Sequence, residues 1–172
     1  HLSIRRQRQM CIRDRFRLKP ATESDRTYIR RLYYLADVFG DESKRLSSGQ
    51  EKVKAFVDDW SPEDDGGWIA HDQDQTPAGG IWLRYWENGD KTSEANLGPD
   101  VPELILAVEE RSHGYGLSAV LLHSVCELAI DQGAKRIALE VMPENKRARY
   151  VYDKFGFIPT KENPNVMYRD LV

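Results

Sequence analysis

The sequence has little cysteine: Cys11 and Cys126 are the two thiols in 172 residues. Two cysteines without Cys-x-x-Cys or Cys/His spacing make neither a disulfide framework nor a metal site. A reducing, cytoplasmic setting is therefore expected, and no metal. No stretch approaches the roughly 20 apolar residues that cross a bilayer, which excludes a membrane-spanning helix, and no membrane partner is expected. Internal repeats and low-complexity tracts are also missing. What is present, 40% hydrophobic and 10% aromatic residues over this length, suits one domain with a core of its own.

The formal net charge of −3 hides an uneven distribution. Residues 1–19 hold seven bases and one acid, a net +6, so the remainder carries −9. Residues 40–110 hold seventeen acids and six bases, whereas 111–172 hold nine bases and seven acids. The basic leader, residues 1–15, is expected to be non-native or disordered and to lie outside a working domain at 16–172. A nucleic-acid arm would carry aromatic residues among its bases; none precedes Phe16, and no nucleic-acid partner is expected.

Periodicity organises the rest. FRLKPA alternates like a short strand, and Thr22, Ser24 and Asp25 offer caps for a helix reaching Phe39. Residues 49–59 form a second amphipathic piece. Strands are expected at 68–71, 79–86 and 101–108, with a polar loop at 87–100. Leu117, Val120, Leu121, Val125, Leu128 and Ala129 mark a helix that Gly133 stops. A strand at 136–141, a helix at 145–154 and a strand at 166–171 complete a mixed α/β layer structure.

A strand ending in Glu103-Leu-Ile-Leu-Ala-Val108 feeds Arg111-Ser-His-Gly-Tyr-Gly116 and then a helix. Unpaired N–H groups at 112–117, the helix dipole and two glycines together make an anion-binding device, with Arg111 as a cation at its rim. A nicotinamide-dinucleotide reading fails, because 111–116 is not Gly-x-Gly-x-x-Gly. Further on stand Asn145, Ala148, Tyr152 and Gly156-Phe157. These two ordered motifs resemble the GCN5-related N-acetyltransferase (GNAT) superfamily. Its acetyl-CoA signature is met by Arg111, Gly114 and Gly116, and its later signature by Asn145, Ala148, Tyr152 and Gly156-Phe157.

The resemblance implies a single mixed, mostly antiparallel sheet of six to seven strands, flanked by about four helices. The fourth and fifth strands would splay apart. It implies acetyl-CoA as cosubstrate, held by Val108, Arg111, Ser112, His113, Gly114, Tyr115, Gly116, Leu117 and Asn145. Val108 would supply an oxyanion N–H, and Tyr152 would protonate the leaving thiolate. The reaction would be direct attack of a primary amine within a ternary complex. The alternative is a non-catalytic acyl-CoA-binding or sensing domain.

For the general base, Glu103 stands where some family members carry theirs; the competing reading pairs it with Arg84. Glu140, Tyr150 and His71 are lesser candidates, and Glu109 and Glu110 read as solvated loop charges. The link from Val108 to Arg111 is shorter than in many relatives, so the family's bulge and the register of this strand need a different place. Cys126 reads as a small buried hydrophobe and His123 as a surface residue. The four tryptophans read as core or cross-strand packing, with Trp82 or Trp86 alternatively lining the acceptor cleft. The acidic 40–110 stretch points to a cationic small-molecule or peptide amine, acted on by a monomer or homodimer.

Overall fold

The computed structural model describes residues 15–171. Apart from Arg15, the basic leader, with Cys11, lies outside the described residues. The chain runs through β1 (Arg17–Pro20), a 3-10 turn at Glu23–Asp25, and α1 (Arg26–Asp37). Helix α2 (Gln50–Val53) continues into a π-helical turn at Lys54–Asp58. Strands β2 (Gly67–His71), β3 (Pro77–Arg84) and β4 (Glu103–Val108) follow, then a 3-10 turn at Glu110–Ser112 and α3 (Leu117–Asp131). The last elements are β5 (Arg136–Glu140), α4 (Lys146–Lys154), β6 (Ile158–Pro159) and β7 (Val166–Asp170).

The seven strands lie in the order β1-β2-β3-β4-β5-β7-β6, and every neighbouring pair is antiparallel except β4 and β5. Alternation along the strands divides the core into two layers. Trp68, Ala70, Ile81, Leu83 and Leu104 face α3, packing with Leu121, Leu122 and Val125. Ile69, Trp82, Ile105 and Ala107 face the other way, toward Ile29 and Leu32 of α1 and Phe56 of the π-helical turn. Helix α1 comes so close to the sheet that a Cβ on Gly80 would stand 2.8 Å from Leu32 Cδ1.

Strand β4 is regular against β3, with unbroken register from Gly79↔Val108 to Arg84↔Glu103. The irregularity is instead in the β2–β3 pair, between Ala70 and His71. Glu103, Ile105 and Ala107 therefore share one face. On its other edge β4 meets β5 at one position, Glu103↔Ala138, through Ala138 N–H to Pro102 C=O at 2.9 Å. Beyond it the two strands part.

The exit from β4 is clamped. Glu109 N–H donates to Ala78 C=O at 2.9 Å, holding the chain to β3. The Glu109 side chain is buried rather than a solvated loop charge, which corrects the reading from sequence; Glu110 is the exposed one. Tyr28 and Arg31 of α1 donate to it at 2.7 Å and, through Arg31 Nη2, 2.7 Å. Burial alone would raise the Glu109 pKa, but these donors outweigh it and hold the carboxyl below its ordinary value.

Because that pKa is lowered on folding, the ionised Glu109 stabilises the protein above the unfolded value of 4.5. The contribution is lost as the pH falls through the folded value. Replacing Glu109→Gln is expected to cost about 1.5–3 kcal/mol at pH 7. Urea melts should show the gap between variant and parent narrowing below pH 4.5.

Candidate functional site

Where β4 and β5 separate, a cleft of about 730 Å³ opens. Glu103 through Val108 line one wall, and Glu140, Asn145 and Tyr152 the other. The chain from Phe39 to Phe56 closes one side. Alternation fixes how β4 presents itself. Since Glu109 N–H points to β3, the backbone groups of Leu104, Leu106 and Val108 point away from β3, into the gap. An extended ligand can pair with that edge as an added strand.

At the far end of β4 the loop after Val108 enters α3. Gly116 is the residue before the helix, and its φ of 78° lies in the left-handed region, as does the 85° of Gly114. No side chain caps this end. The first backbone bond of the helix is Val120 N–H to Gly116 C=O at 3.3 Å, which leaves the amides of 117–119 for an anion. Ser112 and Leu117 are buried, so they offer backbone alone. The Tyr115 ring is turned to Phe16, 6.3 Å away, with the Arg15 guanidinium 4.2 Å above it.

Arg111 is tied down rather than held out as a rim cation. Its guanidinium donates to Pro77 C=O and faces Glu109 at 3.7 Å and Asp72 at 4.0 Å. His113 folds back to the strand: Nε2 donates to Val108 C=O at 3.1 Å, and Nδ1 accepts from Arg147 at 3.3 Å. The pair of bonds assigns the neutral tautomer with hydrogen on Nε2. Asn145 caps α4, its Oδ1 accepting from Ala148 N–H at 3.3 Å, which leaves its NH₂ as the donor toward the cleft.

Glu103 is buried at the start of β4 and is not paired with Arg84. Arg84 instead binds the buried Asp65 at 2.8 Å and stacks on Trp86. Trp86 Nε1 donates to Glu103 Oε1 at 2.9 Å, and Ser93 Oγ donates to the same oxygen. Burial pushes the Glu103 pKa up to about 7, although the two donors and Lys52 pull against it. Tyr152 is buried against Phe157 with its rings edge-on at 5.8 Å, and burial raises its pKa, so the phenol stays protonated.

Of the lesser candidates, Glu140 lines the cleft, its pKa raised by burial, with Lys52 opposing. Tyr150 is 63% exposed and His71 lies on β2; neither lines the cleft. Trp82 is fully buried and reaches Phe56 C=O, while Trp86 does not line the cleft and stands behind two residues that do, Glu103 and Phe56. His123 pairs with Glu127 at 3.5 Å on α3, and Cys126 is buried, its thiol pKa raised. Ser93 and Lys52 escaped the sequence reading. A serine in a polar loop and a lysine on an amphipathic helix carry no motif.

The charges of 40–110 do not gather at the cleft as acids. Of its seventeen acids one, Glu103, lines it, against three of its six bases: Lys44, Arg45 and Lys52. Others are paired away from the cleft, at the surface as Asp58 with Arg30 and Asp59 with Lys54, or buried as Asp65 with Arg84 and Glu109 with Arg31. Among the described residues no group of three or more His, Cys, Asp or Glu is placed to hold a metal, and no helix is long and apolar enough to cross a membrane.

The family model for the acetyltransferase (GNAT) family matches residues 18–157. An uncharacterised N-acetyltransferase of Mycobacterium tuberculosis is 40% identical over 70 residues. That stretch covers 35% of this chain and 45% of the relative, so the match spans less than half of its length. A GNAT-family acetyltransferase of Staphylococcus aureus superposes with a TM-score of 0.68 at 14% identity, over 91% of this chain and 99% of the other. The acetyltransferase yncA of Salmonella typhimurium, solved with its cofactor acetyl-CoA, gives 0.65 at 15% identity, over 91% and 94%. At 14% and 15% identity these two solved structures share the fold alone with this chain.

The raised pKa of Glu103 makes folding favour the protonated carboxyl, so stability falls as the pH rises from 4.5 to about 7. Glu103→Gln keeps an acceptor oxygen for Trp86 and removes the buried charge. Its melting temperature should match the parent at pH 5 and exceed it by a few degrees at pH 8, about 4 °C being the scale of 1 kcal/mol in a chain of this size.

Proposed function

The chain belongs to the acetyltransferase (GNAT) family and is an acyltransferase, and from that premise we propose that it moves an acetyl group from acetyl-CoA to a primary amine by direct attack. One observation carries the reading: a single cleft brings together an unpaired β4 edge, a buried neutral phenol and a carboxyl poised near neutrality. The residues present fit the cosubstrate. The amides of 114–119 suit its pyrophosphate, the β4 edge and the Asn145 NH₂ its pantetheine arm, and the yncA neighbour holds the same group.

Acetyl-CoA supplies the acetyl thioester when bound; its C–S bond breaks as the new C–N bond forms. Glu103 takes a proton from the acceptor ammonium, for which a pKa of about 7 is well matched. The N–H groups of Leu104, Leu106 and Val108 are aimed into the gap, and the one beside the bound thioester stabilises charge on its oxygen. Tyr152 gives its proton to the departing sulfur and is restored by the second proton that the nitrogen sheds on becoming an amide. A thiol of pKa about 8.5 is a fair leaving group, so one aligned donor is enough. No covalent enzyme intermediate is required, since the two substrates are held in one cleft. The acceptor is a small-molecule or peptide amine.

Thiol release from acetyl-CoA over an amine panel tests the reading; acetyl-CoA binding without turnover on any amine would favour the sensing alternative. With an active amine, kcat/KM should rise through about pH 7, and Glu103→Gln should remove that limb. Tyr152→Phe should lower kcat by about 10²–10⁴-fold while acetyl-CoA still binds.

A further inference from the structure

The Glu103 end of the cleft carries charges of both signs in one place. Glu103 and Glu140 line it, and Lys52 from α2 is close enough to lower the pKa of both. Lys52 is half-buried, and among the described residues its side chain forms no ion pair or hydrogen bond. Lys44 and Arg45 line the same wall and are likewise unpaired, whereas Lys54, on the same helical stretch, is bound to Asp59 at 3.0 Å. Asp37, the remaining carboxylate of this wall, is occupied by Ser47 and by Ser48 Oγ at 2.5 Å.

This end is also remote from the pyrophosphate loop. Glu103 opens β4, and Val108, which closes it, lies about 17 Å away at roughly 3.3 Å per residue. Phe56 connects the two halves of the wall: it stacks on Tyr33 at 5.4 Å, with Trp86 edge-on at 5.0 Å, and Trp86 holds Glu103. Lys52 thus belongs with the base and not with the phosphates.

Resting on the acetyl-transfer reading, we infer that the acceptor is a zwitterion of the amino-acid type, whose ammonium meets Glu103 and Glu140 while its carboxylate is received by Lys52. Two acids with the Lys52 ammonium beside them complement a molecule with an ammonium beside a carboxylate. A diamine would leave Lys52 opposed by a second positive charge, and a plain alkylamine would leave it unpaired. The inference replaces the cationic acceptor that composition suggests, because Glu103 is the one acid of 40–110 that lines the cleft. Lys44 and Arg45 add a positive field at the same wall, which draws anionic acceptors in.

The test is thiol release from acetyl-CoA by the full chain with matched acceptors: free amino acids, their methyl esters, and the amines lacking the carboxylate. The free amino acids should exceed their matched esters in kcat/KM by about tenfold or more, the scale of one hydrogen bond to a charged group. Lys52→Met should collapse that ratio, Lys52→Arg should keep most of it, and the KM for acetyl-CoA should not follow the ratio. Esters or diamines used as well as the free acids, or a ratio untouched in Lys52→Met, would overturn the inference and leave acetyl transfer standing. Acetyl-CoA binding with no thiol release from any amine would overturn both.

Discussion

The separation of β4 from β5 is the constraint on which the rest of the molecule depends. A sheet gains by pairing every edge, and an unpaired backbone donor away from water is costly. Here one paired position, Glu103↔Ala138, is followed by divergence within a seven-stranded sheet. The protein keeps the wedge open by fixing each wall separately. Strand β4 is held by β3 along its whole length and by the Glu109 clamp at its exit. Strand β5 is held by β7 over five positions. Neither wall relies on the other, so the gap between them survives as a place where a ligand completes the sheet.

The groups to which we assign the proton transfers follow from the same wedge. Glu103 sits at the one point where the strands still touch, which is why it is dry; Tyr152 reaches in from α4, beyond the point of divergence. A carboxyl in such a corner needs donors that do not neutralise it, and an indole and a hydroxyl serve that purpose where the neighbouring guanidinium would have fixed the charge. Arg84 is diverted to Asp65, leaving the Glu103 carboxyl free to gain and lose a proton near neutrality.

Much of this was legible in the residues. Strong periodicity located α1, α3 and the central strands, and the spacing of Arg111, Gly114 and Gly116 marked the turn into α3. Local pattern failed where tertiary contacts decide. β6 has two residues, one of them a proline and the other 53% exposed, so nothing in its pattern distinguishes it from a loop; its pairing with β7 makes it an edge strand. The π-helical turn at Lys54–Asp58 lies inside an apolar repeat that an ordinary helix would also satisfy. Composition read Glu109 as solvated and the 40–110 stretch as an acidic surface around the acceptor. Which way each carboxylate points depends on partners as distant in sequence as Arg31 and Tyr28.

The bond between Trp86 and Glu103 has an optical consequence. Trp60 and Trp82 donate to the backbone carbonyls of Gly66 and Phe56, which never change charge. Trp86 alone among the bonded indoles donates to a group that titrates. The protonation of the Glu103 carboxyl is therefore coupled to an indole ring, and near-ultraviolet absorption and emission carry a native record of it without any label attached to the chain.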